Sequence, residues 1–319
     1  MKNKISIILL IFNLSFGQEI IGEGLYGDDL MTFLRQNYKT STTLGYTKAR
    51  DTLYLQIDRD NGVVKGVYSN FSVNLPNDGV DPSTHLYENG INCEHVWPQS
   101  LGAGSEPQKS DMHVIRPCKD NVNSARGNKP FNDVIDSQTT TWYFENQQTS
   151  NIPSSNIDEY SENHGSYFEP REDRKGDVAR TIFYFKVMYS DIADENFFNQ
   201  QKEILKDWHL QDPANEDEIT RTWKIADYQQ NKPNPFVLDE SLIVRSFFED
   251  EFILGDMNGD GNLNVLDVVE LINQILSGQN TTECDINGDG GVNILDVVEL
   301  INQILSGQNT TECDINGDG

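Results

Sequence analysis

The sequence predicts an α+β body followed by a small all-α module. In the body, two segments rich in apolar and β-branched residues flank an Asp-Asn-Gly turn, which predicts a hairpin with strands at 52–57 and 63–68. Apolar residues at helical spacing predict helices at 28–36, 177–189 and 216–230. The C-terminal part instead contains a perfect internal repeat, in which each copy has an acidic loop and one helical pattern.

The N-terminus has the pattern of a secretory signal peptide. Lys2 and Lys4 precede an apolar run over residues 5–16, and small residues follow at the usual cleavage offsets. We therefore expect residues 1–17 to be removed and the mature chain to be secreted, in an extracellular or periplasmic location. The run is too short to span a bilayer, and no later segment is apolar enough to do so. A buried N-terminal helix is the alternative interpretation.

The charge distribution divides the remaining chain. All 24 Lys and Arg residues lie at or before Arg245, whereas residues 246–319 contain 15 Asp and Glu. This shift predicts a body at 18–248 and a tail at 249–319 with two complete loops and a truncated third. Residues 18–245 hold 22 basic and 36 acidic residues, which argues against binding nucleic acid through overall charge. A local cluster is basic, and it consists of Lys109, Arg116, Lys119, Arg126 and Lys129.

Two adjacent polar residues of the body, Glu94 and His95, have side chains that hydrolytic sites use. A carboxylate ligates hard cations, and an imidazole near its unperturbed pKa can deprotonate water. Neighbours on a strand point to opposite faces, so the pair can serve one site only at a strand end or turn. Asn123 adds an amide oxygen for Mg²⁺ or Ca²⁺, and Arg126 adds a guanidinium that matches phosphate. These are the groups that metal-assisted cleavage of a phosphodiester bond requires, although Glu94 and His95 alone could be surface residues.

Several longer motifs occur in one order along most of residues 25–240. They are EHVWPQS at 94–100, SDMHVIRP at 110–117, NVNSARGNKPF at 121–131, FEP at 168–170, KGDVAR at 175–180, and the run from Trp208 through Asp212-Pro213 to Asn234-Pro235-Phe236. In these motifs the body resembles the endonuclease I family of extracellular and periplasmic nucleases. The resemblance implies a ββα-metal (His-Me finger) nuclease core with surrounding helices.

The resemblance also implies roles for individual residues. His95 would be the catalytic general base, and Glu94 and Asn123 would hold a catalytic Mg²⁺, with Mn²⁺ or Ca²⁺ as alternatives. Some relatives place a phosphate-contacting arginine in an insertion after the histidine motif, where this chain has a short segment without arginine. We therefore assign that catalytic role to Arg126. The residues expected to bind the phosphates of nucleic acid are Lys109, Arg116, Lys119 and Lys129.

The expected substrate follows from the kinds of contact available. The sequence contains no recognisable base-reading motif, and contacts through a metal and basic side chains read phosphates, which carry no sequence information. We therefore predict a sequence-nonspecific endonuclease that hydrolyses DNA to 5′-phosphate products, and the sequence leaves RNA open as a second substrate. One alternative is an RNA-preferring extracellular ribonuclease. Another is a noncatalytic calcium-dependent adhesion or scaffold protein, against which the set of Glu94, His95 and Asn123 argues.

The cysteines and the remaining motif residues are assigned structural roles. Export permits disulfides, and the four cysteines allow three pairings. We prefer Cys93 with Cys118 because both flank the motifs, and such a bond stabilises a fold by about 3 kcal/mol. Asp111 and His113 are expected to be structural or supporting groups, and Asp177 and Arg180 to form a buried ion pair or a helix-terminal contact. The tryptophans are expected to be core aromatics, with stacking on a base as the alternative for one at a rim; they are Trp97, Trp142 and Trp208.

The tail repeats residues 266–290 without change at 295–319, and each copy is joined to an acidic loop. Oxygen-bearing side chains at loop positions 1, 3, 5, 9 and 12, with glycine at position 6, predict calcium binding. The predicted ligands of the first loop are Asp256, Asn258, Asp260, Asn264 and Asp267. Those of the second loop are Asp285, Asn287, Asp289, Asn293 and Asp296.

Each loop precedes one helix, and aspartate rather than glutamate stands at position 12, so the tail resembles dockerin type I repeats. In the first helix the residues expected to be buried are Val265, Val268, Val269, Ile272, Ile275 and Leu276. The resemblance implies a cohesin-like or cell-surface partner. However, loop positions 10 and 11, where dockerins usually have hydroxyl residues, are apolar in both copies. A purely structural calcium-binding spacer is therefore an equal alternative.

Overall fold

A computed structural model describes residues 20–248, 255–257, 263–278 and 284–306. Two compact units separate along the chain, one formed by Gly24–Glu249 and the other including the C-terminal helices. The predicted signal peptide lies outside the described residues. Within the described ranges, no helix combines the length and the apolar character that crossing a bilayer requires.

The first unit mixes helices with short antiparallel strands, which confirms the predicted α+β class. Its helices are α1 (Gly27–Tyr38), α2 (Tyr46–Thr52), α3 (Pro82–Glu88), α4 (Asp120–Arg126), α5 (Lys175–Met188), α6 (Glu195–Asn199), α7 (Lys202–Gln211), α8 (Glu216–Ala226), α9 (Pro235–Leu238) and α10 (Leu242–Phe247). Its strands are β1 (Arg59–Asp60), β2 (Val63–Lys65), β3 (Ser72–Asn74), β4 (Ile91–His95), β5 (Ile115–Lys119), β6 (Thr141–Phe144), β7 (Gln147–Thr149), β8 (Ser161–Asn163) and β9 (Phe168–Glu169). The strands form three sheets, β1-β2-β3, β4-β5 and β7-β6-β8-β9.

Three of the predicted helices correspond to α1, α5 and α8, and the predicted hairpin is formed by β1 and β2. Asn61 and Gly62 both have positive φ at its turn, as a tight hairpin requires. The strand predicted at 52–57 is wrong, because this segment ends α2 and continues as the π-helical turn Leu53–Ile57. Its alternating apolar residues matched a strand pattern. In the fold, Leu53, Tyr54 and Ile57 are buried together against the neighbouring elements, at helical spacing.

Strands β4 and β5 and helix α4 form the predicted ββα unit. The strands pair antiparallel, with Glu94 opposite Arg116 and His95 opposite Ile115, and α4 begins directly after β5. The long segment that connects β4 to β5 packs against α5, because its Trp97 stacks on Phe185 with ring centroids 4.5 Å apart. His95 therefore lies between a paired strand and a segment that packs against α5.

Helix α5 is the centre of the unit, and all of its residues except Lys186 are buried. A helix that is apolar around most of its circumference must be enclosed by other elements. Here α5 is surrounded by α1, α7 and α9. The three tryptophans predicted to be core residues are also buried, which confirms that interpretation; they are Trp97, Trp142 and Trp208.

The charged residues predicted to be structural lie in this core. Arg180 of α5 makes a bidentate pair with Glu218, with Nη2 to Oε2 at 2.6 Å, and lies 3.8 Å from Asp177. Asp111 is fully buried and accepts hydrogen bonds from the hydroxyls of Tyr184 and Tyr189 at 2.9 and 2.8 Å. These residues fix elements relative to one another, and Asp177 and Glu218 also line a cleft of this unit.

The C-terminal unit contains α11 (Val265–Ser277) and α12 (Ile294–Ser306). Asn264 and Asp267 form a capping box at the start of α11, which fixes the loop to the helix. The hydrophobic core of this unit consists of Val268, Leu271, Val297 and Leu300, together with Cys284 and Ile286.

The predicted apolar face of α11 is largely wrong, because the chain packs only a narrower stripe of this helix. Val265 is 66 % exposed, Val269 51 % and Leu276 80 %, whereas the unpredicted Leu271 is fully buried. The Cys284 thiol donates to Oε1 of Gln274, 2.8 Å away, and Cys313 lies outside the described residues.

Candidate functional site

Glu94 is the last residue but one of strand β4 and is almost completely buried. Its Oε1 accepts a hydrogen bond from the Tyr68 hydroxyl at 2.8 Å and lies 3.1 Å from Nη1 of Arg126. Burial raises the pKa of this carboxyl, while the Arg126 charge and the Tyr68 hydrogen bond oppose the rise. Arg126 and Tyr68 are therefore the side chains that favour the charged form of this buried carboxyl.

The ring of His95 is held in one tautomer. Its Nε2 lies 3.0 Å from the carbonyl oxygen of Lys109. Because a carbonyl only accepts hydrogen bonds, Nε2 must carry the proton, and Nδ1 of the neutral ring is the nitrogen with a free lone pair. That lone pair accepts from Nε2 of Gln99 at 3.1 Å. The arrangement presents Nδ1 as the proton-accepting atom.

Burial lowers the pKa of His95 to about 4, and the nearby positive charges of Lys109, Arg126 and Arg50 add to the effect. Near neutral pH the ring is therefore uncharged and can act as a base. The ring of Tyr46 lies 5.5 Å from the His95 ring. Lys109 Nζ and the Arg50 guanidinium lie 4.9 and 4.6 Å from the centre of the Tyr46 ring. Two cations are thus held beside the His95 ring.

Asn123 on α4 lies against the strand just before Glu94. Its Nδ2 donates to Oδ1 of Asn92 at 2.7 Å and to the carbonyl of Cys93 at 3.3 Å. Both bonds use the amide nitrogen, so Oδ1 remains without a hydrogen-bond donor among the described residues. The ββα unit therefore brings an amide oxygen, a carboxylate and an imidazole to the same end of β4.

The oxygen donors at this end of β4 suit a hydrated cation. Among the residues that the structure describes, no three acidic, histidine or cysteine side chains converge to enclose a metal. Mg²⁺ usually keeps several waters and takes only one or two protein oxygens together with substrate phosphates. A carboxylate from Glu94 and an amide oxygen from Asn123 fit that preference.

The catalytic role predicted for Arg126 is wrong. Its side chain is fully buried, and besides the Glu94 pair it donates to the carbonyl of His95 at 3.1 Å and to that of Val96 at 2.5 Å. The guanidinium also lies over the ring of Phe131, 4.6 Å from its centre. A substrate phosphate cannot reach a group enclosed in this way. Arg126 instead holds the end of β4 in place.

The basic cluster of the sequence does not form one patch. Lys109 lies beside the His95 ring. Arg116 lines a cleft at the other edge of β5. Lys119 packs over an aromatic ring, and Lys129 donates to a backbone carbonyl of α4 and to a side chain of β8. Side chains alternate between the two faces of β5 and rotate around α4, so basic residues that are close in the sequence point to different surfaces.

The predicted disulfide between Cys93 and Cys118 is also wrong. The strand register pairs Cys93 with Pro117 and Asn92 with Cys118, so the two cysteines point to opposite faces of the sheet. Both are free thiols. Burial raises the pKa of the Cys93 thiol to about 12, so it is not ionised near neutral pH. These cysteines pack as small apolar residues.

In the tail, the second loop folds around its carboxylates. Asp285 accepts from the backbone amides of Asp289 and Gly290, at 3.1 and 2.7 Å. Asp296 is fully buried and accepts from the amides of Asn287 and Asn293, at 3.3 and 2.7 Å. Carboxylate and amide oxygens of this kind are the ligands that Ca²⁺ prefers.

The first loop is described only in part. Asp256, Asn264 and Asp267 lie within the described residues, and Asp267 accepts from the Asn264 amide at 2.7 Å. This contact matches the one between Asp296 and Asn293 in the second loop. The predicted ligands Asn258 and Asp260 lie outside the described residues.

Sequence reasoning missed four residues that surround the pair Glu94 and His95. Gln99 belongs to the same motif and could have been found from it. The other three come from distant segments and have no motif; they are Tyr46, Arg50 and Tyr68.

Comparison with known proteins assigns the two units separately. A family model described as Endonuclease I matches residues 27–240. A model described as Dockerin type I domain matches residues 254–305 and 283–319. A protein of Bacillus subtilis (strain 168) named extracellular ribonuclease is 30 % identical over 236 residues, which cover 67 % of this chain and 73 % of the relative. One of Bacillus amyloliquefaciens with the same name is 33 % identical over 164 residues, 46 % of this chain and 50 % of the relative.

Proposed function

We propose that this chain, which belongs to the endonuclease I family, is a secreted metal-dependent nuclease that cuts both RNA and DNA without sequence specificity. The observation that carries the proposal is the geometry of His95. Its Nε2 proton is committed to the Lys109 carbonyl, which leaves Nδ1 as the base. That base stands at the end of the strand that also carries Glu94 and is contacted by Asn123.

In the proposed mechanism, His95 Nδ1 removes a proton from the water that attacks phosphorus. Gln99 must first give up its hydrogen bond to Nδ1, so that the water can take its place. Lys109 and Arg50, rather than Arg126, lie where they could neutralise the phosphate oxygens. Glu94 and Asn123 would hold Mg²⁺, which, when bound, stabilises negative charge on the phosphate and on the departing 3′-oxygen. Products then carry 5′-phosphates.

The breadth of the substrate follows from this mechanism. A ribonuclease that uses the 2′-hydroxyl of RNA as its nucleophile cannot cut DNA. Here the nucleophile is a water, and the mechanism gives the 2′-hydroxyl no role. Both Bacillus relatives are named ribonucleases, which makes RNA the first substrate to test. The same chemistry predicts that DNA is cut as well.

A substrate comparison on the chain from Gln18 onward tests the function. We expect degradation of both RNA and plasmid DNA with Mg²⁺, its loss on adding EDTA, and its return when Mg²⁺ is restored in excess. The products should be substrates for an exonuclease that requires a 5′-phosphate. Cleavage of RNA alone that survives EDTA and leaves 2′,3′-cyclic phosphates would contradict the proposed mechanism.

We further propose that the tail binds Ca²⁺ and attaches the enzyme to a cohesin-like or cell-surface partner. The calcium part of this proposal is supported by the carboxylate of Asp296, which is buried and accepts hydrogen bonds from backbone amides of its loop. The partner is supported by the match of this segment to the family model of the dockerin type I domain.

The thermal stability of the tail should depend on Ca²⁺. At a hundredfold excess over its dissociation constant, a ligand that binds only the folded state adds about 2.7 kcal/mol. We therefore expect Ca²⁺ to raise the unfolding midpoint of the C-terminal unit, followed by circular dichroism on the full chain. Asp296→Asn should reduce this shift, whereas Asn302→Ala, an exposed change on α12, should leave it intact. A midpoint that does not respond to Ca²⁺ in the unaltered chain would exclude calcium binding by the tail.

A further inference from the structure

A cleft of about 390 Å³ lies between the β1–β2 hairpin, β5, the start of α5 and α8. Seven of its lining side chains are basic and five are acidic, although acidic residues greatly outnumber basic ones in the body as a whole. The catalytic residues Glu94, His95 and Asn123 do not line it. The cleft is therefore a separate, locally positive surface on an acidic domain.

On the inner wall of the cleft, Arg221 is paired with Asp58, with Nε to Oδ1 at 2.7 Å and Nη2 to Oδ2 at 3.2 Å, whereas another carboxylate is shared by several guanidinium groups. Asp177 is shared by three arginines, with Arg174 at 2.9 Å, Arg116 at 3.6 Å and Arg180 at 3.8 Å. The distance to Arg116 is too long for a hydrogen bond, and its guanidinium donates no hydrogen bond to the described residues. Burial and the neighbouring charge of Arg221 lower the pKa of Arg116, as expected for two cations held close together. An anion entering the cleft would relieve this repulsion.

The cleft lies close to the proposed site of cleavage. Its floor includes Arg116 and Pro117 of β5, which pair directly with Glu94 and Cys93 of β4. Residues opposite each other on antiparallel strands are about 4.5–5.5 Å apart between Cα atoms. A nucleic-acid strand advances by about 3.4 Å per nucleotide in a duplex. The phosphates next to the cleaved one are therefore within reach of the cleft.

We propose that this cleft binds backbone phosphates of the substrate strand that flank the cleaved bond. The inference rests on the proposed nuclease function and adds a second, noncatalytic phosphate site to it. Arginine matches phosphate through paired N–H donors, so Arg116 forms the inner part of the site, and Arg221 beside it, which is paired with Asp58, adds positive charge. The exposed Lys65 and Lys224 lie at its rim, where each contacts one further phosphate of the strand.

The two rim lysines give the cleanest test, because they are exposed and their replacement leaves the buried ion pairs intact. In the full chain with His95→Ala, which removes the proposed base, binding of a fluorescein-labelled single-stranded DNA is measured by anisotropy over a range of salt concentrations. Each lost phosphate contact lowers the slope of log K against log salt by about 0.7 for single strands. Lys65→Ala with Lys224→Ala should therefore lower the slope by about 1.4 and weaken binding at low salt about tenfold.

Two controls decide how the result is interpreted. Lys65→Arg with Lys224→Arg should retain the slope, because the charges remain. Lys202→Ala with Lys206→Ala removes two charges from α7, outside the cleft, and should leave the slope unchanged. If the cleft and α7 variants behave alike, the proposal is overturned. The assay measures binding without cleavage, so it gives an answer even if the unaltered protein cuts neither RNA nor DNA.

Discussion

His95→Ala is expected to lower kcat for hydrolysis of RNA and DNA by about 10²–10⁴-fold, the usual contribution of a positioned general base. The side chain removed is the one whose Nδ1 has a free lone pair and whose pKa is lowered to about 4 by burial. Because the ring is neutral near pH 7, the unaltered enzyme has its base in the active form without titration. The measurement is the initial rate with saturating Mg²⁺ and substrate.

The matched control for this loss is His164→Ala, the same substitution at a histidine outside the site. It should retain the rate within about twofold, as do most surface changes, which alter free energies by less than about 0.5 kcal/mol. Both variants should keep the unfolding transition of the unaltered chain. A folded His95→Ala protein with more than a tenth of the original rate would show that another group is the base.

Arg126→Met is expected to destabilise the first unit by about 3–5 kcal/mol, because it leaves the Glu94 carboxylate buried without its charge partner. For a domain of this size each kcal/mol shifts the unfolding midpoint by about 2–4 °C. The midpoint should therefore fall by roughly 6–20 °C. The measurement is calorimetric unfolding of the full chain.

The double variant Arg126→Met with Glu94→Gln shows whether the pair causes this loss. Since a neutral glutamine needs no charge partner, the double variant should be more stable than Arg126→Met alone. The opposite assignment, in which Arg126 contacts the substrate, predicts a different pattern. Under it, Arg126→Met would abolish activity while leaving the midpoint unchanged, and our placement of the residue would be wrong.

Local patterns in the sequence were sufficient for much of the fold. The periodicity of α1, α5 and α8 and the turn at Asn61 and Gly62 depend on nearby residues, so the sequence predicts them. The segment at 52–57 has apolar residues that suit a strand as well as a helix. There the packing of Leu53, Tyr54 and Ile57 into the core decides between the two.

The candidate site likewise has residues that the sequence predicts and contacts that it does not. Glu94, His95 and Asn123 stand in contiguous motifs whose chemistry can be recognised from residue types and order. The protonation of His95 depends on the Lys109 carbonyl, fourteen positions away in the chain. The cations near the His95 ring include Arg50, which lies on α2, a helix that contains none of the motifs. The direction of a side chain also lies outside the sequence, as the buried Arg126 and the opposed Cys93 and Cys118 show.

By itself, the sequence determined the α+β class, the division in charge between body and tail, and the presence of a carboxylate, an imidazole and an amide in the motifs of a nuclease. These properties are carried by residue type and short-range order. Only the tertiary structure decided that Lys109 and Arg50 lie beside His95. It alone also decided that Arg126 is buried against β4 and that positive charge is concentrated in one cleft of an acidic domain. The physical reason is that burial and electrostatic neighbourhood depend on contacts between segments far apart in the chain, which no local pattern encodes.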